Sequence, residues 1–425
     1  MISIELNEIN YSWVKYYIDK GKLKNFKELF NRHVIHKTSS ENEYAQLEPW
    51  IQWPSFYSGK SFSTHNCYHI GDFKKHNLES IFSEIQNKGK SVLAISPMNC
   101  YFKEQHSSVF LPDPWEDFET KDKGFLSILY KAIRDKVNTN ATSNSSLRSY
   151  FVLLLGLVRY ARPKNYLKYI KFIFLSLKYK WYQAIVLDLL LFDIFIKNLR
   201  KNKFAYSSIF LNAGAHIQHH YLFDSECYDG DSKNPTGYSK ASNTNADPVY
   251  EILNLYNDIL GEVLSINSKY MISTGLQQTE NKKPYCQYRF KNHKESLLKL
   301  GINFDSLTAR MSRDFTLFFS DTDSLIKNQK ILQNCMINNQ SLFDIDTDLT
   351  SNSIFVKIAW TGSIEEFRNV YLNDINYDFL ADISLVSVEN SIHIAEGWHV
   401  RNFDENSFEK NIPIWTLKDV ILKNI

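Results

Sequence analysis

Three histidines within five residues, His216, His219 and His220, close the segment Asn212-Ala213-Gly214-Ala215-His216-Ile217-Gln218-His219-His220. Imidazole titrates near neutral pH, so such a ring can act as a general base or, when neutral, bind a transition metal. The segment follows the apolar run Tyr206 to Leu211, and open α/β sheets place their ligands at strand ends. Other polar candidates fall in similar positions: Asn7-Glu8, Gln52, Thr274 to Gln278 and Trp398-His399. His216 and His399 are the leading base candidates, and His220 reads as a surface residue. Glu8 can offer a carboxylate oxygen or serve as a first-turn acid of the helix that follows.

Amides are the second feature of this set. Gln52, Gln218, Gln277, Gln278, Asn7 and Asn212 both donate and accept, which suits a neutral, hydroxyl-rich ligand such as a sugar. Trp50, Trp53 and Trp398 can stack on a sugar face or can simply be core. Arg289 with His293, and Arg310 to Asp314, form a basic cluster. Its arginines can pair with a phosphate, or Arg313 can pair with Asp314. Asp113, in Phe110 to Trp115, reads as part of a rigid turn.

The elements that must position these groups alternate. Residues 1–10 read as an opening strand, followed by helices from about Tyr11 and from about Asn25. Strands are expected at Ser91–Ser96, Tyr206–Leu211, Tyr270–Ser273, Phe315–Phe319 and Ile354–Ile358, with the last near Ile383–Val388. A helix is expected from Pro248 to Ile266. Residues 116–203 are helical in pattern, broken by a polar loop at 138–146, and read as a cap inserted into a core of residues 1–115 and 204–425. Strands alternating with helices give a doubly wound α/β sheet with helices on both faces.

Bulk properties narrow the function classes. The 425 residues are 44% hydrophobic and 15% aromatic, enough for a large core, and the net charge of +2 gives no field for nucleic acid. Five scattered cysteines show neither a disulfide framework nor zinc-finger spacing. With no leader at the N-terminus, the expectation is a cytoplasmic protein. The apolar stretch Trp181 to Ile196 is shorter than the roughly 20 residues a membrane span needs, and Asp188 and Asp193 interrupt it. A buried helix is expected there. Its Lys-rich, aromatic flanks leave room for peripheral contact with a membrane surface.

The segment Glu48-Pro49-Trp50-Ile51-Gln52-Trp53-Pro54-Ser55, with Ser58-Gly59 and His65-Asn66, resembles the nucleophile loop of the alkaline phosphatase superfamily, in its phosphodiesterase and nucleotide pyrophosphatase branch. The resemblance implies an alkaline-phosphatase-like fold over most of the chain. It places Gln52 where the family carries its nucleophilic Thr or Ser, with Ser55 close by, and an amide cannot form a phospho-enzyme ester. It also implies counterparts for the metal ligands: Glu8 displaced by one residue, Asn212 for an Asp, His216, Thr274 and Gly275 for an Asp and a His, and His399 or, less readily, His393. Too few ligands survive for a paired-metal site. A metal-free site is therefore expected, with a single divalent metal on Glu8, His216 and His399 as the alternative.

These readings converge on a divergent enzyme acting on a phosphate-linked or nucleotide-linked sugar, in the setting of surface polysaccharide assembly. His216, His399, Gln52 and Glu8 would lie at the reacting centre. Trp50, Trp53, Ser55, Asn212, Gln218, His219, Gln277, Gln278, Arg289 and Arg313 would hold substrate. A metal-dependent phosphodiesterase and a non-catalytic sugar-binding or scaffold protein are the alternatives.

Overall fold

In the computed structural model, residues 1–41, 43–116, 118, 124–138, 147–235, 238, 246–309, 313–404 and 411–425 are described. They divide into two compact units, one of residues 1–137, 146–280 and 390–425, the other containing residues 281–389.

The first unit is built on a central strand, β1 (Ile2–Leu6), buried on both faces. Its even positions, Ile2, Ile4 and Leu6, enter one apolar core, while Ser3 and Glu5 point to the other side. Further strands of this unit include β2 (Ile35–Ser39), β3 (Val92–Ile95), β4 (Val109–Leu111), β5 (Tyr206–Leu211), β6 (Tyr270–Ser273) and β7 (Gln277–Glu280). In the central sheet β6, β1, β5, β3 and β4 run side by side and all parallel. Strand Glu396–Arg401 adds antiparallel to β6 and to β2, and Asn411–Pro413 closes that edge parallel to β2. One core packs helices Tyr11–Asp19, Tyr182–Lys201 and Pro248–Leu264 on the sheet, and a second carries Trp53, Phe56, Phe82 and Leu417. This is the mostly parallel sheet with helices on both faces that the alternation of elements implies.

The helical stretch read as a cap groups with this sheet unit. Helix Tyr182–Lys201 is buried along most of its length and is not a span: no described helix is long and apolar enough to cross a membrane. Its two acids explain the burial. Asp188 accepts from the Ala213 amide at 3.0 Å and the Tyr256 hydroxyl at 2.7 Å. Asp193 pairs with Arg162 at 2.6 Å. The polar loop 138–146 lies, from residue 139 on, outside the described residues.

The second unit corrects part of the strand assignment. Asp314–Phe318 and Ser353–Ile358 pair with each other antiparallel, Phe315 opposite Val356, in a four-stranded sheet with Phe343–Asp348 and Ser306–Ala309. They are not strands of the parallel sheet. That unit has its own core, which includes Phe290, Leu317, Leu325 and Val356. Ile383–Val388 is not the last strand either, since Ser391–Ile394 and Glu396–Arg401 follow it.

Candidate functional site

The chain leaves β1 through Asn7 and turns sharply at Glu8, whose φ of 60° is in the left-handed region. A non-glycine residue holds that conformation at a cost of about 1 kcal/mol or more, and persists there only when its surroundings over-determine it. Here they do. The Glu8 amide donates to Thr274 at 3.0 Å and its carbonyl accepts from Gln218 Nε2 at 2.9 Å. Asn10 then caps the helix Tyr11–Asp19 through the Trp13 amide.

This turn aims the Glu8 carboxylate at two imidazoles. Its Oε2 lies 3.0 Å from His219 Nε2 and 3.0 Å from His393 Nε2, and those two nitrogens are 3.0 Å apart. Gln278 Nε2 donates to the same oxygen, and Asn7 Nδ2 donates to Oε1 at 2.8 Å. Glu8 is buried, while His219 and His393 keep 19% and 12% of their side chains exposed, so the group opens to solvent on the histidine side.

Each imidazole is set by its element. Helix Ala213–Tyr221 carries His219. Its first amides are not left bare: Ala213 donates to Asp188, and Gly214 donates to the Tyr256 hydroxyl at 2.9 Å. Strand Ser391–Ile394 pairs antiparallel with β7, placing His393 opposite Gln278, so both side chains leave the same face toward Glu8. His219 Nδ1 meets the Ser391 carbonyl at 3.2 Å. A carbonyl only accepts, so Nδ1 donates to it.

A carboxylate oxygen and two imidazole nitrogens at mutual distances of 3.0 Å could hold a metal ion. Burial by itself would raise the Glu8 pKa. The positive charge available on His393 and the hydrogen bonds from His219 and His393 outweigh burial and hold it well below the usual carboxylate range. Ligands about 2.1 Å from an ion stand about 3.0 Å apart when their bonds meet at right angles, and about 3.4 Å apart in a tetrahedron. Glu8, His219 and His393 would hold such an ion through one carboxylate oxygen and two imidazole nitrogens. Glu8, His219 and His393 are the one such cluster of histidine, cysteine and acid side chains among the described residues.

The other anticipated residues fall into three groups. Asn7, Asn212, Trp53, Gln218 and Gln278 surround Glu8 as a bonded frame: Asn7 Nδ2 donates to Asn212 Oδ1 at 2.8 Å, and Trp53 Nε1 donates to Asn7 Oδ1 at 2.7 Å. Gln218 Oε1 accepts from the Asn10 amide at 3.0 Å. Gln277 binds the Tyr11 amide at 2.6 Å and the Glu396 carbonyl at 3.2 Å. These amides are thus engaged in holding backbone and one another.

A second group lies apart from the cluster. His216 is not one of its ligands: its ring packs 4.8 Å from His220, and burial, with smaller contributions from His220 and His219, lowers its pKa to about 3. His399 is fully buried inside strand Glu396–Arg401, stacked on His36 with centroids 5.0 Å apart, and neither ring nitrogen has a hydrogen-bond partner among the described residues. The supposed nucleophile loop is helix Pro49–Ser58, begun by a proline whose missing amide costs nothing at that position and ended by Gly59 at φ 70°. Gln52 is buried in it and donates to the Gln46 carbonyl at 2.9 Å, while Ser55 pairs with His65 at 2.9 Å in the core. The Trp50 carbonyl accepts from Asn99 at 2.7 Å, and Trp398 is core, donating to the Ile9 carbonyl at 2.9 Å.

The third group belongs to the second unit. Arg289 is buried there on strand Cys286–Phe290, and Arg313 lies 5.7 Å from the Tyr285 ring. Arg310 lies outside the described residues.

Sequence reasoning ranked His393 below His399 and placed His219 among substrate contacts, and the structure brings both to Glu8. The period-two pattern Ser391-Ile392-His393-Ile394 was the available signal for a strand that turns His393 and Ser391 to one face.

No protein-family model matches this chain, and no curated protein matches it. Among solved structures it is similar to phosphonoacetate hydrolase from Sinorhizobium meliloti 1021 in complex with phosphonoacetate, at 10% identity over 99% of this chain and 94% of that one, with a TM-score of 0.44. It is also similar to murine ectonucleotide pyrophosphatase/phosphodiesterase 5, at 8% identity over 100% and 94%, TM-score 0.42. A third is alkaline phosphatase from the Antarctic bacterium TAB5, at 11% identity over 99% and 96%, TM-score 0.38.

Proposed function

We propose that this protein is a hydrolase of phosphoesters that works with one divalent metal ion held by Glu8, His219 and His393. The observation that carries the reading is the convergence of one carboxylate oxygen and two imidazole nitrogens at 3.0 Å from one another. When bound, the ion supplies Lewis acidity toward a phosphoryl oxygen and charge stabilisation in the transition state. The chain supplies the rest. Gln278 and Asn7 hold the carboxylate in one orientation, the Ser391 carbonyl selects the tautomer of His219, and the partly exposed imidazole edges leave a side open to substrate.

The overall reaction adds water to phosphorus and releases the ester oxygen as an alcohol. No phospho-enzyme is part of this reading, because the residue at the family's nucleophile position is the buried amide Gln52. A sugar-linked phosphate is the narrower substrate reading. Its support was the set of amides, and their bonds to backbone and to one another leave the proposal resting on the phosphoester alone.

Elemental analysis of the purified protein tests the metal, and turnover of bis-(p-nitrophenyl) phosphate tests the reaction. The expected result is about one equivalent of zinc, manganese or a similar ion in the wild type, lost together with turnover in Glu8→Ala and His393→Ala, with His399→Ala retaining its metal. A wild type that takes up no metal on reconstitution, or a metal-loaded protein inert toward phosphoesters, would sink the proposal.

A further inference from the structure

Two consecutive helices of the first unit, Leu147–Tyr160 and Tyr166–Lys178, each carry two apolar faces. One face of each is core: Val152 in the first, Tyr169 and Phe172 in the second. The other faces outward. In the second helix Leu167, Ile170, Phe174 and Leu177 follow helical spacing and are exposed, Leu167 at 80% and Leu177 at 79%. Leu154 and Val158 do the same in the first helix, Val158 at 71%. Isolated exposed leucines need no explanation, but an apolar stripe running along an exposed helix face marks an interaction surface.

The charge of the same stretch indicates the kind of partner. Between Leu147 and Lys180 the sequence contains Arg148, Arg159, Arg162, Lys164, Lys168, Lys171, Lys178 and Lys180 and no acid, whereas the whole chain carries only +2. Part of this charge is neutralised internally: Lys164, Lys168 and Lys171 meet Glu262, Asp258 and Glu251 of helix Pro248–Leu264, and Arg162 is a buried partner of Asp193. Lys178 and Lys180 are exposed next to Leu177 and Phe174, at the end of the apolar stripe. We propose that this face docks on an anionic phospholipid surface, with the leucine and phenylalanine side chains entering the interface and the lysines meeting lipid headgroups.

Length decides between lying on the membrane and crossing it. Helices of 14 and 13 residues are about 20 Å long, short of the ~30 Å hydrocarbon thickness. They suit the interfacial plane instead. A second copy of the chain is the weaker partner, since the same stripe on a second copy offers no acid to Lys178 and Lys180. The proposal does not depend on the metal site.

The test is co-sedimentation of the full chain with vesicles of neutral phosphatidylcholine or of phosphatidylcholine containing phosphatidylserine. The wild type should partition to the anionic vesicles and be released by high salt. Leu167→Glu/Phe174→Glu/Leu177→Glu, at exposed positions, should keep the wild-type circular dichroism spectrum and bind at least about tenfold more weakly. Failure of the wild type to bind anionic vesicles overturns the proposal, as does equal binding by the triple variant. A concentration-dependent dimer that the triple variant abolishes, without vesicle binding, assigns the face to a second copy and likewise overturns it.

Discussion

His219 and His393, 174 residues apart in the chain, bring their Nε2 atoms within 3.0 Å of each other and of the same oxygen of Glu8. Each ring can turn either an N–H or a lone pair toward the shared oxygen, and a metal ion held by all three groups would take a lone pair from both rings. The exposed histidine edges and the buried carboxylate match a site that an ion enters from solvent.

If the cluster binds metal, the residues behind it set the affinity. Gln278 donates to Glu8 and to the Ala215 carbonyl and accepts from the Ser391 hydroxyl at 2.5 Å, so it links all three ligand-bearing segments. Gln278→Ala should weaken metal binding about 10- to 100-fold, read by competition against a chromophoric chelator. Gln277→Ala is the control. Its side chain bonds the Tyr11 amide and the Glu396 carbonyl without touching Glu8, so its loss should lower stability by about 1 kcal/mol and leave metal affinity near that of the wild type. Equal losses of affinity in both variants would mean that Gln278 acts only through the fold.

How far the sequence reaches is clear from where each signal was local. β1, β5 and β6 are short runs buried along their whole length, as a parallel sheet covered on both faces requires, and their apolar residues made their positions legible. Glu8 and the triple-histidine segment were legible as chemistry because each is a local feature at a strand end. Which histidines face Glu8 was not. Residues 216, 219 and 220 share one helix, and only the direction of that helix, set by Asp188 and Tyr256 at its start, turns His219 inward. The role of His393 depends on pairing with β7, a contact across more than a hundred residues that no short pattern encodes. Helix Pro49–Ser58 has residues that resemble a family motif but uses Gln52 and Ser55 for packing, a tertiary choice that spacing alone does not reveal.

The buried ion pair between Arg162 and Asp193 ties the helical stretch together. Asp193 is fully buried and accepts from the Arg162 amide and side chain, from Asn165 Nδ2 at 2.7 Å and from the Tyr169 hydroxyl at 3.1 Å. Arg162→Met removes the cation and leaves the carboxylate in place, which should cost about 3–5 kcal/mol in denaturant unfolding. Adding Asp193→Asn should restore part of that loss, because the stranded charge is gone while an amide oxygen still accepts from Asn165, Tyr169 and the Arg162 amide. A double variant as unstable as the single would show that packing, and not the charge, is at stake.

Gly397 is a packing constraint next to the site. A methyl group there would sit 2.2 Å from the Gly275 carbonyl oxygen and 2.5 Å from Thr38 Oγ1. The first neighbour is backbone, in a turn where Gly275 itself has φ 73°, so relief requires moving the Thr274–Gly275 segment that also receives the Glu8 amide. Gly397→Ala should destabilise by about 1–3 kcal/mol or more and lower metal uptake with it, whereas Gly89→Ala, with open space around it, should show only the local strain of its positive φ. Thermal unfolding of the two variants side by side reads the difference.

Glu5, on the strand that leads into Glu8, gives the fold a specific pH dependence. It lies on the face of β1 opposite Ile4, fully buried, where Tyr57 and Ser208 each donate to its carboxylate at 2.5 Å. Burial raises its pKa from 4.5 to about 7, with the hydrogen bonds from Ser208 and Tyr57 opposing the rise. A folded-state pKa above the unfolded one means that the native protein binds the proton more tightly. The stabilisation is complete below about pH 4.5 and is lost as pH rises toward 7. Glu5→Gln mimics the protonated side chain at every pH. Its stability relative to wild type should therefore be near zero at about pH 4.5 and rise by on the order of 3 kcal/mol by about pH 8. Asp113 and Asp188 are also raised to about 7, but they are common to both proteins and cancel in the difference. Urea unfolding of both proteins at the two pH values measures it. A difference that does not change with pH would show that Glu5 is ionised throughout, held by its two hydroxyl donors against the cost of burial.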